Sequence, residues 1–63
     1  MFKSIKFIKS GDIILPRPGY EVIVTASPVL INGESYTIKG TAAGEDVCVV
    51  GFPDSLIEVV SES

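Results

Sequence analysis

The dipeptide Asn32-Gly33, set between two apolar runs, constrains the folding of this chain more than any other sequence feature. Asn and Gly tolerate the positive φ of a type I′ turn, and the pair between apolar segments is a strong indication of a β-hairpin. We therefore predict a hairpin over residues 26–40 whose loop has two residues. The opposed pairs in that register are Ile31 with Glu34, Val29 with Tyr36, and Ser27 with Ile38. The apolar residues that would then share one face are Val29, Ile31, Tyr36 and Ile38.

Short runs rich in β-branched and aromatic residues indicate further strands at residues 2–8, 13–15, 20–25, 46–51 and 56–60. Residues 2–8 also fit a short helix, with lysines along one side. The unbroken run Val47–Val50 indicates a strand that is buried on both faces. No helical periodicity extends beyond one turn. The pattern predicts an all-β fold, a single small domain over residues 1–63 that forms a barrel or sandwich of about six short, mainly antiparallel strands.

Turn-forming residues separate these strands. Residues 10–12 and 52–55 form predicted turns, residues 40–45 a flexible loop, and Pro28 a bend before the hairpin. Pro16 and Pro18 remove two backbone donors, so residues 16–19 should not belong to a central strand, and Gly19 permits a left-handed bend. The residues predicted to have structural roles in turns are Gly19, Pro28, Asn32 and Gly33.

A chain of 63 residues with 46% apolar residues has little room for a core. A domain of this size buries only about 60% of the surface that its unfolded chain exposes. The apolar content therefore predicts either a dense core or a surface reserved for a second chain, and we expect self-association or a stable protein partner. No apolar run approaches the roughly 20 residues that span a bilayer. The start of the chain lacks the pattern of a secretory signal, which predicts a cytoplasmic location or incorporation into a particle without a signal peptide.

Residues for catalysis and metal binding are scarce in this sequence. It contains no His and one Cys, Cys48, whose apolar neighbours favour a buried structural thiol over a reactive one. Glu45 and Asp46 are adjacent, so on a strand they would point to opposite faces, and solvated charge is the favoured interpretation over a cation site. We predict that the chain is not an enzyme and has no catalytic residues, no metal site and no cofactor.

Charge is divided along the chain, with basic residues in the first third and no basic residue after position 40. Either the two groups attract each other as neighbouring surfaces, or they form basic and acidic edges for head-to-tail or partner contact. The basic segment also contains aromatic residues, which together form a candidate interaction patch: Phe2, Lys3, Lys6, Phe7, Arg17 and Tyr20. Small SH3-like and OB-like barrels bind nucleic acid with such patches. The net charge of −3 argues against that function, because phosphate neutralisation supplies much of the affinity.

Residues 10–48 resemble the PAAR-type spike-tip proteins of contractile phage tails and type VI secretion. The resemblance lies in the Gly11-Asp12 turn, the segment from Gly19 through Ser27-Pro28 to Asn32-Gly33, and the later Gly40 and Cys48. The sequence departs from that family where Glu34–Thr37 replaces the Pro-Ala-Ala-Arg tetrapeptide and where Thr41 follows Gly40. The zinc-binding histidines of the family are also absent. The resemblance implies a subunit of a particle without a zinc-bound tip.

These observations predict a non-enzymatic structural or protein-interaction module, part of a larger phage- or prophage-type assembly or a homo-oligomer. Its basis is the high apolar content and the many strand edges expected in so short a chain, because exposed edges tend to be paired. The alternative is a small SH3-like or OB-like barrel that binds nucleic acid or regulates a protein that does.

Overall fold

Seven antiparallel strands form a sheet that curls into a half-barrel in the computed structural model, which describes residues 1–62. The strands are β1 (Phe2–Ser4), β2 (Ile13–Arg17), β3 (Tyr20–Val24), β4 (Val29–Ile31), β5 (Ser35–Ala42), β6 (Glu45–Gly51) and β7 (Leu56–Ser61). A 3₁₀ turn at Ile5–Phe7 follows β1. The prediction of a small all-β fold is confirmed, with seven strands instead of about six.

The order of strands across the sheet is β1, β7, β2, β3, β5, β4, and β6 pairs with the other edge of β5. β5 has eight residues and serves three partners. Its first half pairs with β4, Gly40 and Thr41 pair with β3, and residues 36–42 pair with β6. The approach of β3 to β5 requires glycine at position 40, because a Cβ there would lie 2.5 Å from the Ile23 carbonyl oxygen.

The core fills the concave side of the curled sheet. Alternation along the strands directs Val22 and Val24 of β3, and Ile57 and Val59 of β7, inward, as expected for a sheet with one buried face. The complete set of buried apolar residues is Ile5, Ile8, Ile14, Val22, Val24, Ile38, Ala42, Ile57 and Val59. The predicted alternation of Tyr20–Thr25 is confirmed, since Glu21 and Ile23 are exposed.

The β2–β3 turn follows the sequence prediction at Gly19 but not at the prolines before it. Arg17 pairs with Tyr20, so Pro18-Gly19 is a two-residue loop, and Gly19 has a φ of 76°. The expectation that residues 16–19 lie outside a central strand is wrong for Pro16 and Arg17, because β2 reaches Arg17 and lies between β7 and β3, and it is right for residues 18 and 19. The strand accommodates Pro16 because the register shifts between Ile14 and Arg17. At such a bulge the backbone N–H that proline lacks is not required for a hydrogen bond between the strands.

The Asn32-Gly33 turn is confirmed, but the register predicted from it is wrong by one residue. Asn32 and Gly33 have φ values of 52° and 70°, and the Glu34 N–H donates to the Ile31 carbonyl oxygen at 3.1 Å. The observed pairs are Val29 with Thr37, Leu30 with Tyr36, and Ile31 with Ser35. Glu34 is left out of the ladder, and this extra residue reverses the relative faces of the two strands. Val29 and Ile31 therefore do not share a face with Tyr36 and Ile38.

A two-residue hairpin loop occurs instead at Ala43-Gly44, inside the segment predicted to be a flexible loop. Ala42 pairs with Glu45, and Ala43 and Gly44 have φ values of 52° and 81°. That prediction for residues 40–45 is wrong because β5 continues through Ala42 and β6 begins at Glu45. Pairing along seven consecutive residues with β6 extends the strand past Gly40, where local sequence indicated a break.

Three further expectations are corrected. The strand predicted for residues 2–8 ends at Ser4 and gives way to the 3₁₀ turn. β6 is not buried on both faces, because Val47 and Val49 are half-buried while Cys48 and Val50 are exposed. The buried thiol predicted for Cys48 is therefore wrong. β6 pairs only with β5 within residues 1–62, and the face that carries Cys48 and Val50 is exposed.

Candidate protein-interaction surface

Strand β4 presents three large aliphatic side chains to solvent, and we call Val29–Ile31 the apolar arm. The exposed fractions are 53% for Val29, 49% for Leu30 and 42% for Ile31. Successive side chains of a strand point to opposite faces, so the arm is apolar and exposed on both faces. β4 lies at the end of the sheet path and pairs only with β5 within the described residues. Apolar surface of this kind marks contact sites more often than the rest of a protein surface does.

A second exposed apolar surface lies on the outer side of β1, β7 and β2. Phe2 and Leu56 are 67% and 65% exposed. They border a shallow cavity of about 440 Å³, together with Leu15, Arg17 and Glu58. The pairing of Phe2 and of Leu15 with Glu58 brings these side chains into one row across three strands. This outer groove contains one cation and one anion beside an apolar floor.

The structure divides the patch predicted from sequence, and it does not gather all six of its residues. Phe2 and Arg17 line the outer groove. The Arg17 guanidinium carbon lies 5.1 Å from the centroid of the Tyr20 ring, and Lys6 Nζ lies 5.6 Å from that of Phe7. Cations at these distances attract an aromatic face. The predicted patch is thus divided into two cation–aromatic pairs, Lys6 with Phe7 and Arg17 with Tyr20, and the part of the outer groove that Phe2 and Arg17 line.

Lys3, the remaining member of that patch, is engaged in an ion network. Its Nζ lies 2.8 Å from Glu62 Oε1 and 3.8 Å from Asp12 Oδ2. The hydrogen bond to Glu62 is the largest cause that raises the pKa of Lys3, and both carboxylates add attraction while partial burial opposes it. This contact fits the interpretation in which the basic and acidic segments attract as neighbours. Lys3 is consequently less available to a phosphate group than its position in the sequence suggested.

Asp12 is fully buried and holds the turn at residues 9–12. Its Oδ2 accepts a hydrogen bond from the Lys9 N–H at 3.1 Å, and its own N–H donates to the Lys9 carbonyl oxygen at 3.1 Å. The Asp12 carbonyl oxygen accepts from the Val24 N–H at 2.8 Å. These contacts connect the turn to β3 and explain the carboxylate structurally, because a buried charge needs paired and hydrogen-bonded surroundings.

An open cavity of about 590 Å³ lies where the β2–β3 and β5–β6 hairpins approach each other, and we call it the acidic mouth. Its apolar lining includes Leu15, Tyr20 and Val47, and the two exposed acidic residues that also line it, Glu21 and Glu45, are called its rim. Both Glu side chains are exposed, and neither has an ion-pair partner among residues 1–62. The site therefore combines an apolar interior with a net negative charge.

Sequence reasoning missed both the apolar arm and the acidic mouth. The arm was missed because the predicted register, displaced by one residue, put Val29 and Ile31 on one apolar face with Tyr36 and Ile38. The mouth joins Glu21 and Glu45 from separate hairpins, and no local pattern reports such a juxtaposition. Alternation in residues 20–25 did indicate an exposed Glu21, but it carried no information on its neighbours.

Metal-binding geometry is not found in the described part of the chain. Within residues 1–62, no three or more His, Cys, Asp or Glu side chains are grouped so that they could hold a metal ion. No helix in the same range has the length and apolar character needed to cross a membrane.

Comparisons with known proteins return no relative. No protein-family model matches the chain, and no curated protein or solved structure matches it.

Proposed function

We propose that this chain is a non-catalytic protein-interaction module that serves as a subunit of a homo-oligomer or of a larger assembly of the phage or prophage type. The apolar arm is the observation that carries this proposal. Aliphatic side chains on both faces of an edge strand lose contact with water only when another chain covers them. An exposed edge is also a ready template for pairing with a further strand.

The resemblance of residues 10–48 to spike-tip proteins supports a particle subunit in particular. The Gly11-Asp12 and Asn32-Gly33 positions that carry the resemblance both lie at turns, where Gly11 and Gly33 have positive φ values. Nucleic-acid binding has weaker support, because Lys3 is engaged with two carboxylates and the chain has a net charge of −3.

The test places a photo-reactive amino acid at Leu30 and, as a control, at Asp54, which is exposed in the turn before β7. We expect irradiation of the purified protein or of extract from its source cells to give one discrete adduct from position 30 and none from position 54. The double substitution Val29→Thr and Ile31→Thr should abolish that adduct, because both changes lower apolar area while keeping β-branched side chains. If position 30 gives no adduct in either sample, the proposal fails.

A further inference from the structure

We infer that a second copy of this chain docks head to tail, with Lys6 and Phe7 of one copy entering the acidic mouth of the next. This inference rests on the proposed interaction function and names the partner and the two surfaces. Phe7 is 62% exposed on the 3₁₀ turn, and Lys6 lies against its ring. We call these two side chains the basic knob. The knob presents an aromatic ring beside a positive charge, and the mouth presents an apolar interior beside negative charges, so the two surfaces are complementary.

Charge complementarity is the argument for this occupant. Glu21 and Glu45 form the rim of the mouth, Lys6 is exposed beside Phe7, and Lys9 is exposed two residues further along the chain, all without ion-pair partners in residues 1–62. Arg17 is held on the ring of Tyr20, so one cation already lies near the mouth. Two carboxylates against one guanidinium leave the rim with a net negative charge. Opposite charges across an interface favour association and fix its register.

The positions of the two surfaces make the contact intermolecular. The knob follows Ile5, and the Ile5 Cδ1 atom would lie 2.8 Å from a Cβ at Gly51, the last residue of β6. Glu45 at the rim of the mouth is the first residue of β6. Six residues of a strand separate these positions by about 20 Å. A knob therefore cannot reach the mouth of its own chain without unfolding, whereas it can reach that of another copy.

Two different surfaces make a heterologous interface, in which every added copy presents a further knob and a further mouth. The product is a ring where the rotation closes and an open chain where it does not. A standard interface removes about 800 Å² from each partner. The described chain has a surface of 4026 Å², so a subunit this small can satisfy only a few such contacts. We therefore expect weak, salt-sensitive association, since a knob of two side chains covers less than a standard interface.

The experiment measures molar mass by sedimentation and light scattering up to about 1 mM protein, a range that includes weak contacts. We expect the mass of the wild type to rise with concentration at low salt and to fall when salt screens the charges. Lys6→Glu and Glu45→Lys should each weaken association by about tenfold or more, because each places like charges together. Phe7→Ala should weaken it as well. The matched controls Lys39→Glu and Glu34→Lys reverse the same charges at exposed positions outside knob and mouth, and should leave association unchanged.

Mixing the Lys6→Glu and Glu45→Lys variants separates a lost contact from a lost fold. The first keeps a native mouth and the second a native knob, so the mixture should associate where each variant alone does not. A wild type that stays monomeric at about 1 mM, reversals without effect, controls that act like the variants, or a mixture that fails to associate would each overturn the inference. If one of these results is obtained while the photo-reactive residue at position 30 still gives an adduct, the head-to-tail contact is wrong. The proposed interaction function then stands, with a different contact or partner.

Discussion

Ala43 holds a left-handed backbone conformation without being glycine, with a φ of 52° in the two-residue loop between β5 and β6. An L-residue other than Gly or Asn is disfavoured there because its Cβ approaches the following carbonyl oxygen. Asn32 has the same φ in the turn between β4 and β5, and Asn tolerates this region through its short polar side chain. The chain thus contains one well-matched and one poorly matched residue at equivalent turn positions.

Substitution of Ala43 by Asn should stabilise the protein. We expect Ala43→Asn to raise the free energy of unfolding by about 0.5–1 kcal/mol, since Asn-Gly suits a type I′ turn better than Ala-Gly. The reverse change in the other hairpin, Asn32→Ala, should lower it by a similar amount. Urea denaturation followed by circular dichroism measures both. A shift of the two variants in the same direction would contradict this account.

At the scale of elements, the close pairing of β3 with β5 depends on glycine at position 40. A Cβ at Gly40 would lie 2.5 Å from a backbone oxygen of Ile23 and 2.7 Å from Val22 Cγ1. A Cβ at Gly51 would lie 2.8 Å from Ile5 Cδ1, which is the end of a flexible side chain. The backbone of β3 cannot move without disturbing its ladder, whereas the Ile5 side chain can change rotamer.

The two glycines should therefore differ in their tolerance of alanine. We expect Gly40→Ala to lower the free energy of unfolding by about 1–3 kcal/mol through overpacking, and Gly51→Ala to lower it by less than half as much. Thermal unfolding of the two variants provides the comparison. Equal losses would show that β3 and β5 can separate to admit a methyl group, contrary to the observed packing.

Strand register and the full length of β5 are the features of the elements that the sequence did not predict. The strands near residues 20–25 and 56–60 and the turns at Gly19 and Asn32-Gly33 could be predicted, because alternation and positive φ are local properties. The register of β4 on β5 could not, since one unpaired residue, Glu34, changes every facing pair. The extension of β5 to Ala42 was missed because pairing with β6 overrides the local turn preference of Gly40 and Thr41.

At the scale of the whole molecule, Lys3 links the two ends of the chain. Its strand β1 pairs with β7, and its Nζ lies 2.8 Å from Glu62, which follows β7. The hydrogen bond to Glu62 and the attraction of both carboxylates hold the pKa of Lys3 above its ordinary value of 10.5 in the folded protein. A raised pKa means that the charged form is favoured by folding. Its stabilisation is present below the unfolded pKa and is lost as pH rises through the folded pKa.

Stability should consequently depend on alkaline pH through this contact. We expect the wild type to have a higher Tm than Glu62→Gln at neutral pH, and we expect the difference to shrink as pH rises above about 10.5. Comparing the two proteins at each pH cancels the pH effects that they share. Glu58→Gln is the matched control, because Glu58 is exposed and has no ion pair in the described residues. A difference that stays constant from neutral pH to the most alkaline pH at which the protein is folded would exclude Lys3 as its origin.

The sequence by itself determined that this chain is all-β, where its tightest turns lie and which side chains alternate, because turn chemistry and strand periodicity act over a few neighbouring residues. The tertiary structure alone decided that Val29–Ile31 faces solvent and that Cys48 is exposed. It also brought Glu21 and Glu45 to one cavity. These outcomes depend on register and on the curl of the sheet, and both are set by contacts between residues that are far apart in the chain.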